Sequence, residues 1–194
     1  MGKLIYVTNV SLDGYIEDAQ GDINWFPLGD EVFAFHTGLL RSVGTLLYGR
    51  RLYEAMAVWE TDPALAARSD LTADFANAWQ AASKVVYSTT LATVPTAGTR
   101  LERRFDPAAV RELKATAGSD LTVGGAGLAA RAFEAGLVDE CRLLILPVVV
   151  GGGKPGLPKG MRTDFELLDE RRFRNGVVHL HYRVLPSGHQ GSAV

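Results

Sequence analysis

The chain has 194 residues, 47% of them hydrophobic and 22% charged, which suits a single globular domain with a substantial core. A formal net charge of −2 argues against a general nucleic-acid binder, and no apolar run approaches the ~20 residues that span a bilayer. The start is no secretory signal, because Lys3 opens an alternating segment that soon meets Asp13 and Glu17, and the single cysteine, Cys141, reads as a buried apolar residue of a cytoplasmic protein.

Lys3 to Ser11, rich in Ile, Val, Tyr and Thr, reads as a strand that ends at the turn Asp13-Gly14. Glu31 to Val43 places apolar residues at near-helical spacing, with Gly44 set to end that helix. Thr45 to Tyr48 is a short buried-type strand that runs into Gly49-Arg50-Arg51 and a helical pattern through Met56. Leu71 to Ser83 reads as a helix, and Lys84 to Tyr87 as a strand stopped by Ser88-Thr89-Thr90. Asp106-Pro107 opens a helix reaching Ala117, because Asp caps and Pro is tolerated in the first turn. Leu121 to Val123 is a strand, Gly124 to Gly127 a loop, and Leu128 to Ala135 a helix closed by Gly136. Arg142 to Val150 is the most hydrophobic strand and leads into the glycine-rich stretch Gly151 to Gly156. Phe165 to Phe173 and Val177 to Leu185 alternate around the turn Asn175-Gly176. Residues 187–194 read as a flexible tail after a domain of residues 1–186. The expected fold is α/β: a mixed, mostly parallel sheet with helices on both faces and a C-terminal antiparallel hairpin.

Two turns, after Tyr48 and after Val123, repeat one layout: buried strand, glycine, helix start. That layout collects free N–H groups and the positive end of a helix dipole, where a phosphate can sit. Gly125 to Ala130 matches G-x-G-x-x-A, but no acid follows about 20 residues later to hold a ribose, so a Rossmann site is not expected. Gly151 to Gly156 is no ATP-binding loop, since Pro155 stands where the magnesium-binding hydroxyl belongs. His179 and His181 share one side of the last strand and read as surface residues. With no third ligand near them, and no partner for His36, no metal site is expected.

The ordered segments resemble the dihydrofolate reductase superfamily, in the branch of the riboflavin-type reductase domain. The resemblance rests on Ser11-Leu12-Asp13-Gly14-Tyr15-Ile16, Gly49-Arg50-Arg51-Leu52-Tyr53-Glu54, Tyr87 to Thr90, Val123 to Leu128, and the stretches Leu137 to Glu140 and Pro147 to Gly153. It implies a dihydrofolate reductase-like fold and NADPH as cofactor. Gly14, Gly49, Arg50, Arg51 and Leu52 would border the cofactor, with Ser88, Thr89 and Thr90 at its 2′-phosphate. Gly124, Gly125, Ala126, Gly127 and Leu128 would meet the pyrophosphate. Trp25 and Asp30 resemble the Trp and substrate-binding acid of dihydrofolate reductases, so Asp30 is expected inside a cleft where burial raises its pKa, unless it simply caps the helix. Asp13 is the second candidate acid, although a turn selects Asp whatever the function.

The implied activity is hydride transfer to a small heterocycle, a pterin or a ribosylaminopyrimidine. The alternative is a non-catalytic nucleotide-binding module on the same fold. Val123 stands where the branch usually has Glu, and Leu52 replaces a hydroxyl residue, as in a stand-alone relative. A homodimer is expected to cover the sheet edge left by the long apolar strand and the terminal hairpin.

Overall fold

The computed structural model describes residues 1–186, so the tail expected over 187–194 lies outside the described residues. In chain order the elements are β1 (Leu4–Ser11), β2 (Tyr15–Glu17), α1 (Gly29–Arg41), β3 (Val43–Gly49), α2 (Arg50–Thr61), α3 (Pro63–Ala66), α4 (Asp70–Ala81), β4 (Ser83–Tyr87) and β5 (Thr99–Glu102). There follow α5 (Pro107–Thr116), β6 (Asp120–Gly124), α6 (Ala126–Glu134), β7 (Glu140–Leu146), β8 (Lys154–Pro155), β9 (Phe165–Arg172) and β10 (Val178–Val184).

Eight strands form one sheet in the order β5-β4-β3-β6-β1-β7-β10-β9, and β2 and β8 form a separate antiparallel ribbon. Strands β5 through β7 run parallel, while β10 is antiparallel to both β7 and β9. The strand order doubles back around β6, and the crevice beyond the carboxyl ends of strands at such a switch is where open α/β sheets bind ligands. α1, α2, α4 and α6 all start at that carboxyl edge, because each follows or precedes a parallel strand in a crossover connection.

Alternation along the strands sends side chains to both faces, and each face is covered. On one, Leu4, Tyr6, Leu47 and Val123 pack with Val110 of α5 and Ala129, Ala132 and Phe133 of α6. On the other, Leu46, Tyr48 and Val86 meet Tyr53 of α2 and Phe75 and Trp79 of α4. Val32 of α1 packs there against Leu144, Leu146, Phe173 and Val177. Buried Lys84 closes the end of α4 by donating to the carbonyls of Ala82 at 2.9 Å and of Gln80 and Ala97 at 3.3 Å. Cys141 is fully buried, and burial pushes its thiol up to about 12, so it is an apolar core residue as expected.

Several boundaries differ from expectation for local reasons. Gly44 does not end α1; it lies inside β3, where the Ser119 hydroxyl occupies the space a Cβ would take. The apolar strand stops at Leu146 because Pro147 has no N–H to continue the ladder. α6 starts at Ala126, two residues before the expected Leu128, so Ala126 and Gly127 belong to its first turn. β2, β5, β8 and α3 carry only two to four residues each and leave no periodic signal. The strand β7 is not an edge, since β1 and β10 flank it; the edges are β5 and β9. Among the described residues no helix is long and apolar enough to cross a membrane.

Candidate functional site

The helix starts divide into two groups. Side chains cap α3 (Asp62), α4 (Ser69, in a capping box with Thr72) and α5 (Asp106), and α1 carries Asp30 and Glu31 in its first turn. Only α2 and α6, among the described residues, have neither a side-chain cap nor an acid in the first turn. Each helix start holds about half a positive charge and several N–H groups without helical partners. These two starts lie together: an added Cβ on Gly125 would sit 3.7 Å from the Gly49 nitrogen. Their leucines interlock the turns, Leu52 lying on Gly124 and Leu128 on Gly49, where a Cβ would be 3.7 Å from the Leu128 Cβ. Leu52 therefore packs turn against turn, and Gly125, at φ +90°, has a conformation an L-residue rarely takes. At Gly127 an added Cβ would meet nothing within 4 Å, so the first turn of α6 faces open space. Two uncapped helix starts with an open glycine cradle between them fit the pyrophosphate of a dinucleotide.

Cations surround the pair. Arg50 is exposed and loosely paired with Glu54 at 3.4 Å; Arg51 lies 3.9 Å from Glu17, which Lys154 also approaches at 3.4 Å. Glu17 and Lys154 belong to the β2–β8 ribbon, so the glycine-rich stretch Gly151 to Gly156 serves this corner. Asp13 accepts from the Ser11 hydroxyl at 2.6 Å, Gly151 N at 2.8 Å and Val150 N at 3.2 Å. The Ser11 hydrogen bond and then those two backbone donors hold the Asp13 carboxyl below its usual range. Asp13 thus staples the glycine loop to the end of β1 and is ionised, not a proton donor. Gly14, at φ +88°, turns the chain there with space open around it.

At the end of β4, Ser88 is buried and its hydroxyl accepts from Thr90 N at 3.2 Å and Leu91 N at 3.0 Å, so it shapes the turn. Thr89 and Thr90 are exposed and remain the outward hydroxyls. Arg103, beyond β5, donates to the carbonyls of Ser88 at 3.3 Å and Leu91 at 2.5 Å. Sequence reasoning missed Arg103 because β5, the short strand that carries it here, was itself invisible. The only signal was the Arg103-Arg104 pair before the Asp106 cap.

The substrate candidates are less tightly drawn together. Trp25 is half-buried and donates its indole N–H to the Asp22 carbonyl at 2.6 Å. Asp30 is neither buried nor a cap: Leu28 is the capping position, and Asp30 is exposed in the first turn of α1. The burial expected of it is absent. It does line a cavity of about 570 Å³ between the starts of α1 and α4, with Phe26, Leu28, Phe33 and Leu71 as apolar wall. Deeper under α1, His36 Nε2 lies 3.0 Å from Asn9 Oδ1 on β1, and burial pushes that histidine down to about 4.

A mostly parallel sheet with a switch-point crevice edged by two uncapped helix starts, closed by an antiparallel hairpin, defines the dihydrofolate reductase-like class of α/β fold. Within it the chain belongs to the RibD C-terminal domain family, whose sequence profile matches residues 2–179. It is 30% identical over 185 residues to the uncharacterized protein YyaP of Bacillus subtilis (strain 168), covering 93% of this chain and 94% of that one. Among solved structures it is similar to a putative riboflavin biosynthesis protein from Shewanella sp. PV-4, with a TM-score of 0.74 at 20% identity over 95% of this chain and 99% of that chain. It also resembles Acinetobacter baumannii RibD, with a TM-score of 0.64 at 18% identity, covering 95% of this chain but 58% of that one. A deaminase/5-amino-6-(5-phosphoribosylamino)uracil reductase of Thermotoga maritima gives a TM-score of 0.62 at 14% identity, over 95% and 57% of the two chains.

Proposed function

We propose that the chain is an NADPH-dependent reductase that transfers a hydride to a small heterocycle of the pterin or ribosylaminopyrimidine type. The observation that carries this reading is the pair of uncapped, acid-free starts of α2 and α6, meeting at Gly49 and Gly125. Family membership supports it, and so does the reductase named in the Thermotoga structure.

NADPH, when bound, would supply the hydride for a C=N or C=O carbon of the substrate and be oxidised to NADP⁺, the neighbouring heteroatom taking a proton. The backbone N–H groups of the two helix starts hold the pyrophosphate, and Arg50 and Arg51 neutralise its charge. Thr89 and Thr90, on the turn braced by Arg103, take the 2′-phosphate. Asp30 orients the heterocycle and passes it a proton from solvent, which its exposure permits.

Titration with NADPH and NADH, read by fluorescence and thermal shift, tests the reading. NADPH is expected to bind more tightly than NADH, and Arg50→Ala with Arg51→Ala to weaken it about tenfold, the loss of roughly one charge-assisted bond from an exposed site. No response to either nucleotide at millimolar concentration would remove the reductase reading. The engagement of Asp13 by three hydrogen bonds and the exposure of Asp30 favour one second reading, a nucleotide-binding module without catalysis. NADPH binding with no NADPH oxidation against any heterocycle would select it.

A homodimer belongs to the same proposal, now placed on β9. Seven of its eight residues are exposed, its outer edge is unpaired, and Leu167 and Leu168 are 47% and 36% exposed. In an antiparallel self-pairing Glu166 at the start of the strand meets Arg172 at the end of the other copy. Sedimentation should give a dimer mass at micromolar concentration; a monomer at every concentration sinks the idea.

A further inference from the structure

The pocket between α1 and α4 carries a statement about substrate charge. None of its ten lining residues is basic, and Asp30 is the only charged one. Among the described residues the Asp30 carboxylate has no hydrogen-bond or ion-pair partner, so its charge is free to act on a ligand. Its neighbour Glu31 is engaged instead, accepting from the Arg171 guanidinium at 3.0 Å and from the backbone N–H of Arg174 at 3.1 Å. The pocket hydroxyls are also occupied: Ser69 accepts from Thr72 N, and the Thr72 hydroxyl accepts from Ser69 N and is within donating reach of the Ala66 and Ser69 carbonyls.

The helix starts that border the pocket are closed to anions as well. α1 begins with Asp30 and Glu31, and α4 is capped by Ser69 and begins with Asp70. This is the opposite of α2 and α6, which also start at the carboxyl edge of the sheet. A phosphate needs a cation or a free helix start, and a carboxylate beside it repels it. The apolar wall of Phe26, Leu28, Phe33 and Leu71 suits the flat face of a ring instead.

Resting on the reductase reading, we propose that this pocket selects an unphosphorylated heterocycle, neutral or cationic, that offers an N–H group to Asp30. It therefore excludes the phosphoribosyl form named for the Thermotoga enzyme. The division of labour along the edge is strict: phosphate goes to the α2 and α6 starts, and the phosphate-free ring goes to the α1 and α4 starts.

The test is calorimetric binding of a matched pair to the full chain, with and without saturating NADPH. The pair is 5-amino-6-ribosylaminouracil and its 5′-phosphate, and dihydropterin serves as an unphosphorylated probe of a second ring type. At least one unphosphorylated probe is expected to bind, and the ribosyl compound at least tenfold more tightly than its phosphate. Asp30→Asn should narrow that ratio, and Asp30→Lys should reverse it. A ratio below tenfold, or no binding of any probe, overturns the proposal. Failure of the reductase reading is seen separately, as absent NADPH binding in the same titration, and the probe ratio without NADPH still decides the pocket.

Discussion

Acidification from pH 7 to about pH 4 is expected to remove several kcal/mol of stability through two histidines, much of it before the carboxylates begin to protonate. Two histidine rings, His36 of α1 and His179 of β10, lie between α1 and the sheet. Burial pushes His36 down to about 4; burial, with help from Arg142 and His181, does the same to His179 against the weaker pull of Asp169. His179 is 2% exposed, and neither of its ring nitrogens has a partner in the structure. The sign follows from proton counting. In the unfolded chain both rings protonate near 6.5, whereas in the fold they resist until about 4, so the unfolded state binds more protons throughout that window. Stability is then full above about pH 6.5, falls as pH drops through the window, and levels near 4 as far as these rings are concerned. Each shift corresponds to an upper bound of about 3 kcal/mol, and the pair together is comparable with the whole stability of many domains.

Thermal melts between pH 7 and pH 4.5 should show a steep loss of Tm. His179→Leu should flatten roughly half of it while leaving stability at pH 7 unchanged or higher, since it deletes two unpartnered buried nitrogens. A Tm that stays level across the window, or a slope that His179→Leu does not alter, would refute this account.

His179 also marks where sequence reasoning stops. Its spacing from His181 places both on one side of β10, which the register with Leu144 and Arg142 confirms. Which side α1 covers is a tertiary fact, and the ring expected at the surface is instead packed 4.7 Å from Phe35. Local chemistry was legible wherever it is self-contained: Asp106-Pro107 caps α5, Asn175-Gly176 turns the hairpin, and both glycine turns end their strands at one edge. Short elements were not, because β2, β5 and β8 exist only through their pairing partners. Arg103 was lost with β5. Asp13 was found but could not be assigned, because its partners Val150 and Gly151 lie 137 and 138 residues away. Asp30 was likewise found without the exposure that changes its chemistry.

Gly153→Ala is expected to be the most damaging single methyl in the glycine-rich stretch, and the reason is close approach more than backbone strain. Gly153 has φ +130°, and an added Cβ would fall inside the contact distance of the Glu17 carbonyl oxygen and the Asp18 backbone. Those atoms are main chain and cannot swing aside, so the β2–β8 ribbon must separate. With it goes the pairing of Glu17 with Lys154, and Glu17 no longer stands beside Arg51. Strain and lost pairing together should cost on the order of 3 kcal/mol, or about 10 °C in Tm for a chain of this size. Gly151→Ala is the control: at φ +78° it is strained too, but its Cβ would meet nothing within 4 Å, so it should cost about 1 kcal/mol. Calorimetric melts of the two variants, each with and without NADPH, decide the matter. A much larger loss for Gly153→Ala, together with weaker NADPH stabilisation, ties the ribbon to the Arg51 corner. Equal losses would mean that backbone conformation alone selects these glycines. A large loss of Tm with unchanged NADPH affinity would mean that the ribbon supports the fold but not the cofactor site.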